Sequence, residues 1–337
     1  MRHTFARLFF VLAAAAFVPA IGSSSSVAQS EAEKAPADLA KWQLTCECNG
    51  EPPNAMILKD NNGEILYAAR NGVTVAQLKS HGISASGSQL KLLQDWRILT
   101  RQGDRYTTAI PTLDEHDQAA LRKSLRPRVA QTEAQVGGDI ANIVATLQRN
   151  GYAGHAYAVV FSYVLDGLMW QNLKSKGALP PEDLNSNAAH WSGAFWAVYP
   201  PRRNAVGSNS TDTPGAWIVY TWNDRVLAAL QALDVKQFAL RVPTITNAPG
   251  DAIYRSGSRV TEILADAVQL SERSAPVPNL RISGDKAATT IVGGEFISEL
   301  MGDLVAHHAV DVPDVLSGKA DPTPASLRDL VFVIRKP

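Results

Sequence analysis

The sequence predicts a protein of the α+β class, and three observations support this prediction. Apolar residues recur with helical spacing through most of residues 74–175. The second half of the chain instead holds short strand-like apolar runs between helical patterns, without the regular rhythm of a doubly wound sheet. The 337 residues are 45% hydrophobic, which is ample for a buried core divided among two or three domains.

The N-terminus has the pattern of a secretory signal. Arg2 and Arg7 provide a basic start, residues 8–21 are apolar, and Ser26 and Ala28 place small residues at the two positions that signal peptidase reads. The apolar run is shorter than the roughly 20 residues of a comfortable membrane span. We therefore expect a periplasmic or secreted protein that is cleaved near Ala28, with an uncleaved membrane anchor as the alternative.

Removal of that signal leaves a nearly neutral chain. The full sequence has 32 basic and 32 acidic residues, and the signal contains two of the arginines, so the mature net charge is −2. A chain of this charge has no overall basic field that would attract nucleic acid or anionic lipid. We expect no membrane span in the mature chain, and a small molecule or an envelope protein as its partner.

Cys46 and Cys48 are the only cysteines, and we predict a disulfide between them. Disulfides persist outside the cytoplasm, so this pairing agrees with the export signal. So short a bridge fits two interpretations, a local staple or a labile, redox-active bond. Two cysteines alone do not form a zinc site, and we expect neither a metal nor another cofactor. The pair lies in residues 29–55, which we predict to be a tether that is irregular over residues 42–55.

Residues 56–113 are predicted to form a small ordered module. Two apolar runs surround an Asn-Asn-Gly turn, and a short helix over residues 74–81 follows, with Thr74 as its N-cap. The segment "ILTRQGDRYTTAI" alternates around a Gln-Gly-Asp turn, which predicts a hairpin. Before it, Ser88 is the expected cap of a helix with an apolar face formed by Leu90, Leu93 and Trp96.

The segment "VAQLKSHGISASGSQLKLLQDWRILTRQGDRYTTAIP" resembles the winged helix-turn-helix of bacterial regulators such as the ArsR and MarR groups. The resemblance covers about residues 56–113 and implies a short helix, a glycine-containing turn, a second helix and a β-wing. DNA binding needs basic side chains on the recognition helix and wing. The basic set there is thin: Lys91, Arg97, Arg101 and Arg105 are offset in part by Asp95 and Asp104. We therefore expect a scaffold for packing or protein contact rather than for DNA.

Residues 114–175 are predicted to be a helical segment. Thr112 and Glu115 fit a capping box at its start, and Pro127 is expected to kink or end the first helix. A strongly apolar stretch, "AYAVVFSYVLDGLMWQNLK", follows at residues 156–174. This stretch is a helix candidate, with a pair of buried strands as the alternative.

Residues 176–337 are predicted to form an α+β domain that begins with a loop over residues 176–190. We expect strands at "GAFWAVYP", "GAWIVYTW", "QFALRVPTI" and "DLVFVIRK", and a hairpin at "LRISGDKAATTIVGG". Helices are expected at "SRVTEILADAVQL" and "EFISELMGDLVAHH", and after Asn223 or Asp224, either of which would cap a helix through Leu233.

Aromatic residues concentrate around the start of this domain. Five of the seven tryptophans lie between residues 170 and 222, and tyrosines lie among them. Large aromatic side chains either form a packed core or line a pocket for a sugar, a flat apolar ligand or a cation. The candidate ligand-binding residues are Trp170, Trp191, Trp196, Tyr199, Trp217 and Trp222.

No motif that combines an acid, a base and a nucleophile stands out, so a non-enzymatic protein is favoured. The catalytic candidates are His155 and His190 with Asp166 or Asp183, because a histidine beside a carboxylate supports general base catalysis. His307 and Asp311 would share one face of a helix, although a histidine also suits a helix C-terminus.

The sequence therefore predicts an exported binding or interaction protein with an aromatic-lined ligand pocket. The first alternative is an exported hydrolase that uses a histidine–carboxylate pair. The second is a winged-helix transcriptional regulator that keeps its N-terminus as a membrane tether. The three hypotheses require different features, namely a pocket, a histidine that contacts a carboxylate, and an exposed basic helix.

Overall fold

The computed structural model describes residues 38–180, 190–202, 205–233 and 243–335. The predicted signal, most of the predicted tether, most of the loop over residues 176–190 and most of the strand "QFALRVPTI" lie outside these ranges. Helix predominates in the described part of the chain, and its strands form three small sheets. The α+β class is therefore confirmed.

The first part of the chain holds short helices and strands that follow one another closely. They are β1 (Gln43–Gly50), α1 (Asn54–Ile57), α2 (Asn62–Ala68), β2 (Val73–Thr74), α3 (Val75–Ser80), α4 (Gly87–Asp95), β3 (Leu99–Gln102) and β4 (Arg105–Thr108). In one sheet, β4 lies between β2 and β3 and pairs antiparallel with both. From α2 onward the order is therefore helix, strand, two helices and a hairpin.

Capping boxes set the starts of α3 and α4. The Thr74 hydroxyl accepts a hydrogen bond from the Gln77 backbone N–H (3.2 Å), which confirms the predicted cap. The predicted cap of α4 is wrong by two residues, because Ser86 and not Ser88 accepts from the Gln89 backbone N–H (3.1 Å). The Gln89 side chain accepts from the Ser86 N–H in return and so completes the box.

Residues 43–50 form a strand, so the prediction of an irregular segment over residues 42–55 is wrong. β1 pairs antiparallel along its whole length with β6 (Trp191–Val198). Leu39 and Trp42, just before β1, are buried in the same core as the helices of the module. The strand was missed because its partner is distant in sequence and no local pattern indicates the pairing.

The remainder of the chain surrounds a second, larger core. Its further strands are β5 (Thr112–Leu113), β7 (Gly207–Thr213), β8 (Ala216–Trp222), β9 (Thr244–Ile245) and β10 (Val331–Arg335). Its first helices are α5 (Glu115–Arg149), α6 (Ala156–Ala158), a π-helical segment (Val159–Leu168) and α7 (Met169–Ser175). Its later helices are α8 (Asp224–Ala232), α9 (Asn247–Ser274), α10 (Asp285–Ala306), α11 (Asp314–Ser317) and α12 (Pro324–Leu327).

Two sheets belong to this larger part of the protein. In one, β6 lies between β1, to which it is antiparallel, and β5, to which it is parallel. In the other, the order is β7, β8, β10 and β9, with only the β9–β10 pair parallel. The strands predicted at "GAFWAVYP", "GAWIVYTW" and "DLVFVIRK" are confirmed as β6, β8 and β10.

α5 runs unbroken through Pro127, so the helix does not end at that residue, which was one of the two predicted outcomes. Leu121, Leu125 and Val129 form a buried face on α5, which packs against α9 and α10, whereas Pro127 is exposed. A proline inside a helix costs about 3 kcal/mol. Burial of the long apolar face on both sides of the proline outweighs this cost.

Two other predicted boundaries also change. The cap of α5 is Asp114, which accepts from the Asp117 N–H (2.9 Å), whereas the predicted cap Thr112 belongs to β5. The predicted hairpin at "LRISGDKAATTIVGG" is wrong, because most of that stretch is the start of α10. Its threonines donate their hydroxyls to carbonyls four residues earlier, so the helix satisfies the polar groups that suggested strands.

β6 contributes side chains to both cores. Trp191 and Phe195 pack in the core of the module, whereas Ala194 and Trp196 pack in the larger core. Side chains alternate across a strand, so two tryptophans that are five positions apart face opposite sides. The predicted aromatic cluster is therefore divided between the two cores.

The most apolar stretch, residues 156–174, is helical, as predicted. It is buried by packing against α9 and the strands β7 and β8. Within the residues that the structure describes, no helix combines the length and the apolar character needed to cross a bilayer.

Candidate functional site

A cavity of about 670 Å³ is lined by residues of β1, the π-helical segment, β7 and α10. A smaller recess of about 180 Å³ shares five of its lining residues. Sites for small organic ligands span roughly 300–1,000 Å³, so the larger cavity has a suitable volume. The shared lining residues are Glu47, Asp166, Trp170, Ser208 and Asn209.

Three predicted ligand-binding tryptophans, Trp170, Trp196 and Trp222, line this cavity. Two of them pack against glycines. A Cβ on Gly207 would lie 2.6 Å from the Trp222 ring, and a Cβ on Gly293 would lie 2.8 Å from the Trp170 ring. The missing side chains thus let two indoles pack directly against backbone and form the walls of the cavity.

Asp166 is fixed on the same wall by two donors. The Trp170 indole N–H donates to its Oδ1 (2.8 Å), and the Ser208 hydroxyl donates to its Oδ2 (2.5 Å). Burial raises the pKa of Asp166, and the two hydrogen bonds partly offset that effect. Asp166 lies in the π-helical segment, a rare backbone form that is frequent at functional sites.

Two buried donors that line the cavity have no acceptor in the described part of the chain. They are the indole Nε1 of Trp196, whose side chain is only 3% exposed, and Nε of Arg202. A buried N–H without an acceptor costs about 1–3 kcal/mol. An acceptor of a bound molecule that reached either donor would offset this cost.

Arg202 is held by a buried ion pair. Its guanidinium contacts Glu295 of α10, whose other carboxylate oxygen lies 3.4 Å from Nε of Arg122 on α5. Burial and the nearby charge of Arg122 lower the pKa of Arg202 to about 10, so it remains a cation at neutral pH. The carboxylate of Glu295 thus fixes the one cationic side chain among the described residues of the cavity wall.

The disulfide between Cys46 and Cys48 is present, as predicted, and both residues line the cavity. On β1, Cys46 lies opposite Phe195 and Cys48 lies opposite Gly193 of β6, and both cysteines pack against the core of the module. The predicted tether included this pair, but the structure places it in a strand that pairs along its whole length with β6.

The other predicted ligand-binding residues lie apart from the main cavity. Trp217 lines only the smaller recess. Trp191 lies in the module core, where its indole N–H donates to the Trp96 carbonyl (2.7 Å). Tyr199 packs against Trp42, with ring centroids 5.4 Å apart. The six predicted residues therefore do not form one pocket.

Neither of the two catalytic histidine candidates contacts Asp166. His155 is buried, and its Nε2 donates to the Arg328 carbonyl at 3.2 Å. His190 is exposed and stacks on Trp96, with ring centroids 4.3 Å apart. Asp183 lies outside the described residues. The predicted pairing of either histidine with Asp166 is not found.

His307 does not share a helix face with Asp311, because α10 ends at Ala306. Its Nδ1 lies 2.6 Å from the Glu133 carboxylate on α5, and this contact raises the pKa of His307. Across residues 38–335, apart from the three internal gaps, no group of three or more His, Cys, Asp and Glu side chains is arranged to hold a metal ion.

We expect acid to destabilise the protein through His155. Burial lowers its pKa below the ordinary 6.5, while the charge of Asp329 opposes part of that shift. The neutral ring therefore contributes stability above about pH 6.5, and that stability is lost as the pH falls towards the lowered pKa. His155→Gln keeps a donor for the Arg328 carbonyl and should flatten the profile of urea unfolding free energy against pH.

His190→Gln is the control for that measurement, because His190 is exposed and stacks on a ring. Its pH profile should follow that of the parent protein. Parallel profiles for the parent and His155→Gln would show that His155 is not the group responsible.

Comparison with known proteins gives no match for this chain. No protein-family model, curated protein or solved structure is significantly similar to it. The function is therefore inferred from the geometry of the cavity.

Proposed function

We propose that the protein is an exported binding protein whose cavity holds a small organic molecule. The observation that carries this proposal is a cavity of about 670 Å³ that combines tryptophan walls with two buried, unpartnered donors. Export rests on the signal pattern of the first 28 residues.

The lining side chains indicate the chemistry of the ligand. Indole faces favour an apolar or flat surface, and the donors on Trp196 and Arg202 favour carbonyl, carboxylate or hydroxyl oxygens. The acidic side chains of Glu47, Asp166 and Asp224 also line the cavity, so one arginine does not make it strongly cationic. A neutral or zwitterionic molecule therefore suits the cavity better than a multiply charged anion.

Filling the cavity from α10 tests this function. Gly294 lines the cavity, and a Cβ there would have only Trp196 within 4 Å, at 3.9 Å, so Gly294→Leu can extend into the open space. We expect a panel of amino acids, short peptides and sugars to contain a compound that changes tryptophan emission and raises the melting temperature. At a concentration of 100 Kd, such a ligand stabilises the folded state by about 2.7 kcal/mol. Gly294→Leu should remove both effects.

Gly302→Leu is the matched control. Gly302 lies on the same helix, is exposed, and would have no atom within 4 Å of an added Cβ. This variant should bind as the parent does. The proposal fails if no compound binds the parent, or if the compound binds Gly294→Leu and Gly302→Leu equally well.

We further propose that the winged-helix-like module serves packing rather than DNA contact. The helix, strand, two helices and hairpin of residues 62–108 support the resemblance. Three of the four basic side chains on the helix and wing that would contact DNA have internal partners. Lys91 pairs with Asp95, Arg101 donates to the Gly103 carbonyl (2.8 Å), and Arg105 donates to the Gly72 carbonyl (2.7 Å).

A further inference from the structure

A second cavity, of about 650 Å³, lies beside the C-terminal turns of α5 and the residues around α11. It shares no lining residue with the first cavity, of about 670 Å³. The carboxylates of Asp311, Asp314 and Asp329 line the second cavity, whereas no lysine or arginine among the described residues does so. The second cavity therefore presents negative charge, which attracts a cation.

The three carboxylates have no basic partner in the described part of the chain. None of them forms an ion pair with a lysine or an arginine, and none accepts a hydrogen bond through its side chain. Asp311 and Asp314 are exposed, whereas Asp329 is partly buried. Asp329 lies against Gly154, where a Cβ would be only 2.8 Å from the carboxylate group. The negative charge of the second cavity is therefore available to a ligand.

The hydroxyl of Tyr157 indicates a ligand independently of the acidic side chains. Tyr157 lines the second cavity and is only 5% exposed, and no described group forms a hydrogen bond with its hydroxyl. The protein does not enclose the hydroxyl oxygen completely, so this oxygen is reachable from the cavity. Burial raises the pKa of Tyr157 to about 12, so the phenol keeps its proton at neutral pH. A largely buried hydroxyl without a partner is unfavourable, and its oxygen can accept a hydrogen bond from the N–H of a cation.

Apolar side chains lie between the charged groups of the second cavity. They are Val144, Ala156, Ala309, Val310, Val312 and Val315. Contact with methylene groups would remove this apolar surface from water. The carboxylates do not converge on one point, because no group of three or more His, Cys, Asp and Glu side chains in the described ranges is arranged to hold a metal ion. A chain of methylene groups with separated positive charges therefore matches the lining better than a single metal ion does.

We propose that the second cavity binds a linear aliphatic diamine or polyamine. One ammonium group pairs with Asp329 and donates a hydrogen bond to the hydroxyl of Tyr157. A second ammonium group pairs with Asp311 or Asp314 on the exposed side of the cavity. The methylene chain between the two ammonium groups packs against the valines. This function is additional to the binding proposed for the first cavity and does not depend on it.

Cadaverine, a linear diamine, is the probe, and isothermal titration calorimetry near pH 8 is the measurement. We expect one cadaverine molecule to bind to each chain. 5-Aminopentan-1-ol has the same chain but replaces one ammonium group with a hydroxyl, so it should bind roughly tenfold more weakly. Gly294→Leu, which fills the first cavity, should bind cadaverine as the parent protein does.

Tyr157→Phe removes only the unpartnered hydroxyl. Its melting temperature should therefore equal or exceed that of the parent protein, whereas its affinity for cadaverine should fall roughly tenfold. A purely structural role of Tyr157 would not produce this combination.

Asp329→Asn keeps the shape of the side chain and removes its charge, so the affinity for cadaverine should fall by about tenfold or more. Asp321→Asn is the matched control. Asp321 is exposed, lies in the same region of the chain and does not line the cavity. At about 0.15 M salt, exposed charges more than about 8 Å apart are largely screened, so this variant should bind as the parent does.

Four results would overturn the inference. In the first, cadaverine does not bind, or binds no more tightly than 5-aminopentan-1-ol. In the second, either Tyr157→Phe or Asp329→Asn binds cadaverine as tightly as the parent protein. In the third, Asp329→Asn and Asp321→Asn weaken binding equally, which would indicate general attraction to an acidic surface. In the fourth, Gly294→Leu abolishes the binding of cadaverine, so that the amine occupies the first cavity and the function proposed for that cavity stands alone.

Discussion

Glu295→Ala should lower the free energy of unfolding by about 3–5 kcal/mol, the usual cost of leaving a buried charge without its partner. Glu295 is 1% exposed and contacts the guanidinium of Arg202, which is itself largely buried. Removal of the carboxylate leaves that largely buried cation on the cavity wall beside Arg122, which carries the same charge. The loss therefore includes both the missing attraction and the repulsion between the two arginines.

Urea unfolding of Glu295→Ala and Glu299→Ala measures this effect with a control on the same helix. Glu299 contacts Arg122 and Arg126, but these arginines are 39% and 52% exposed, so its removal should cost about 1 kcal/mol or less. Glu295→Met combined with Arg202→Met should recover most of the lost stability, because no unpaired charge remains buried. Equal losses for the two alanine variants would contradict this account.

Local signals in the sequence predicted the long helices and the strands β3, β4, β6, β8 and β10. Thr74 and Gln77, which form the capping box of α3, are only three residues apart, so the local sequence alone is enough to predict where this helix starts. Asn223 likewise caps α8 through its side chain. Helix boundaries were predicted wrongly where two possible caps competed, as with Ser86 and Ser88. They were also wrong where burial of an apolar face outweighed the helix-breaking effect of proline, as at Pro127.

Features that depend on partners distant in sequence were not predicted. The sequence of β1 shows little alternation of apolar and polar residues, and its pairing with β6 defines the strand. The need for glycine at residue 193 is evident only from its place opposite Cys48. The ion pair between Arg202 and Glu295 joins a segment after β6 to α10. No sequence pattern marks the π-helical segment that presents Asp166 to the cavity.

The division of the aromatic cluster follows from strand geometry once the start of β6 is known. The predicted strand "GAFWAVYP" began at Gly193, whereas β6 begins at Trp191, so Trp191 and Trp196 lie five positions apart on one strand and face opposite sides. Only Trp196 could then share a cavity with Trp170, which lies in the helical segment. The remaining cavity tryptophan, Trp222, ends β8 and packs on Gly207, a contact that requires the tertiary structure.

Gly293→Ala and Gly294→Ala should change stability in opposite directions, although the two residues are neighbours in α10. Alanine stabilises a helix interior by about 0.5–1 kcal/mol relative to glycine, and both variants gain this contribution. At Gly294 the added methyl group has room and the gain remains. At Gly293 the methyl group would lie 2.8 Å from the Trp170 ring, and such overpacking costs about 1–3 kcal/mol.

The Trp170 ring cannot withdraw freely, because its indole N–H is bonded to Asp166 (2.8 Å). We therefore expect Gly293→Ala to lower the free energy of unfolding, measured in urea, by about 1–2 kcal/mol net and to alter the emission of the cavity tryptophans. Trp170→Phe replaces the indole with a smaller ring. Trp170→Phe should therefore lower the free energy of unfolding less in Gly293→Ala than it does in the parent protein. Stabilisation by both alanines, with unchanged emission, would show that Gly293 does not position Trp170 against the cavity.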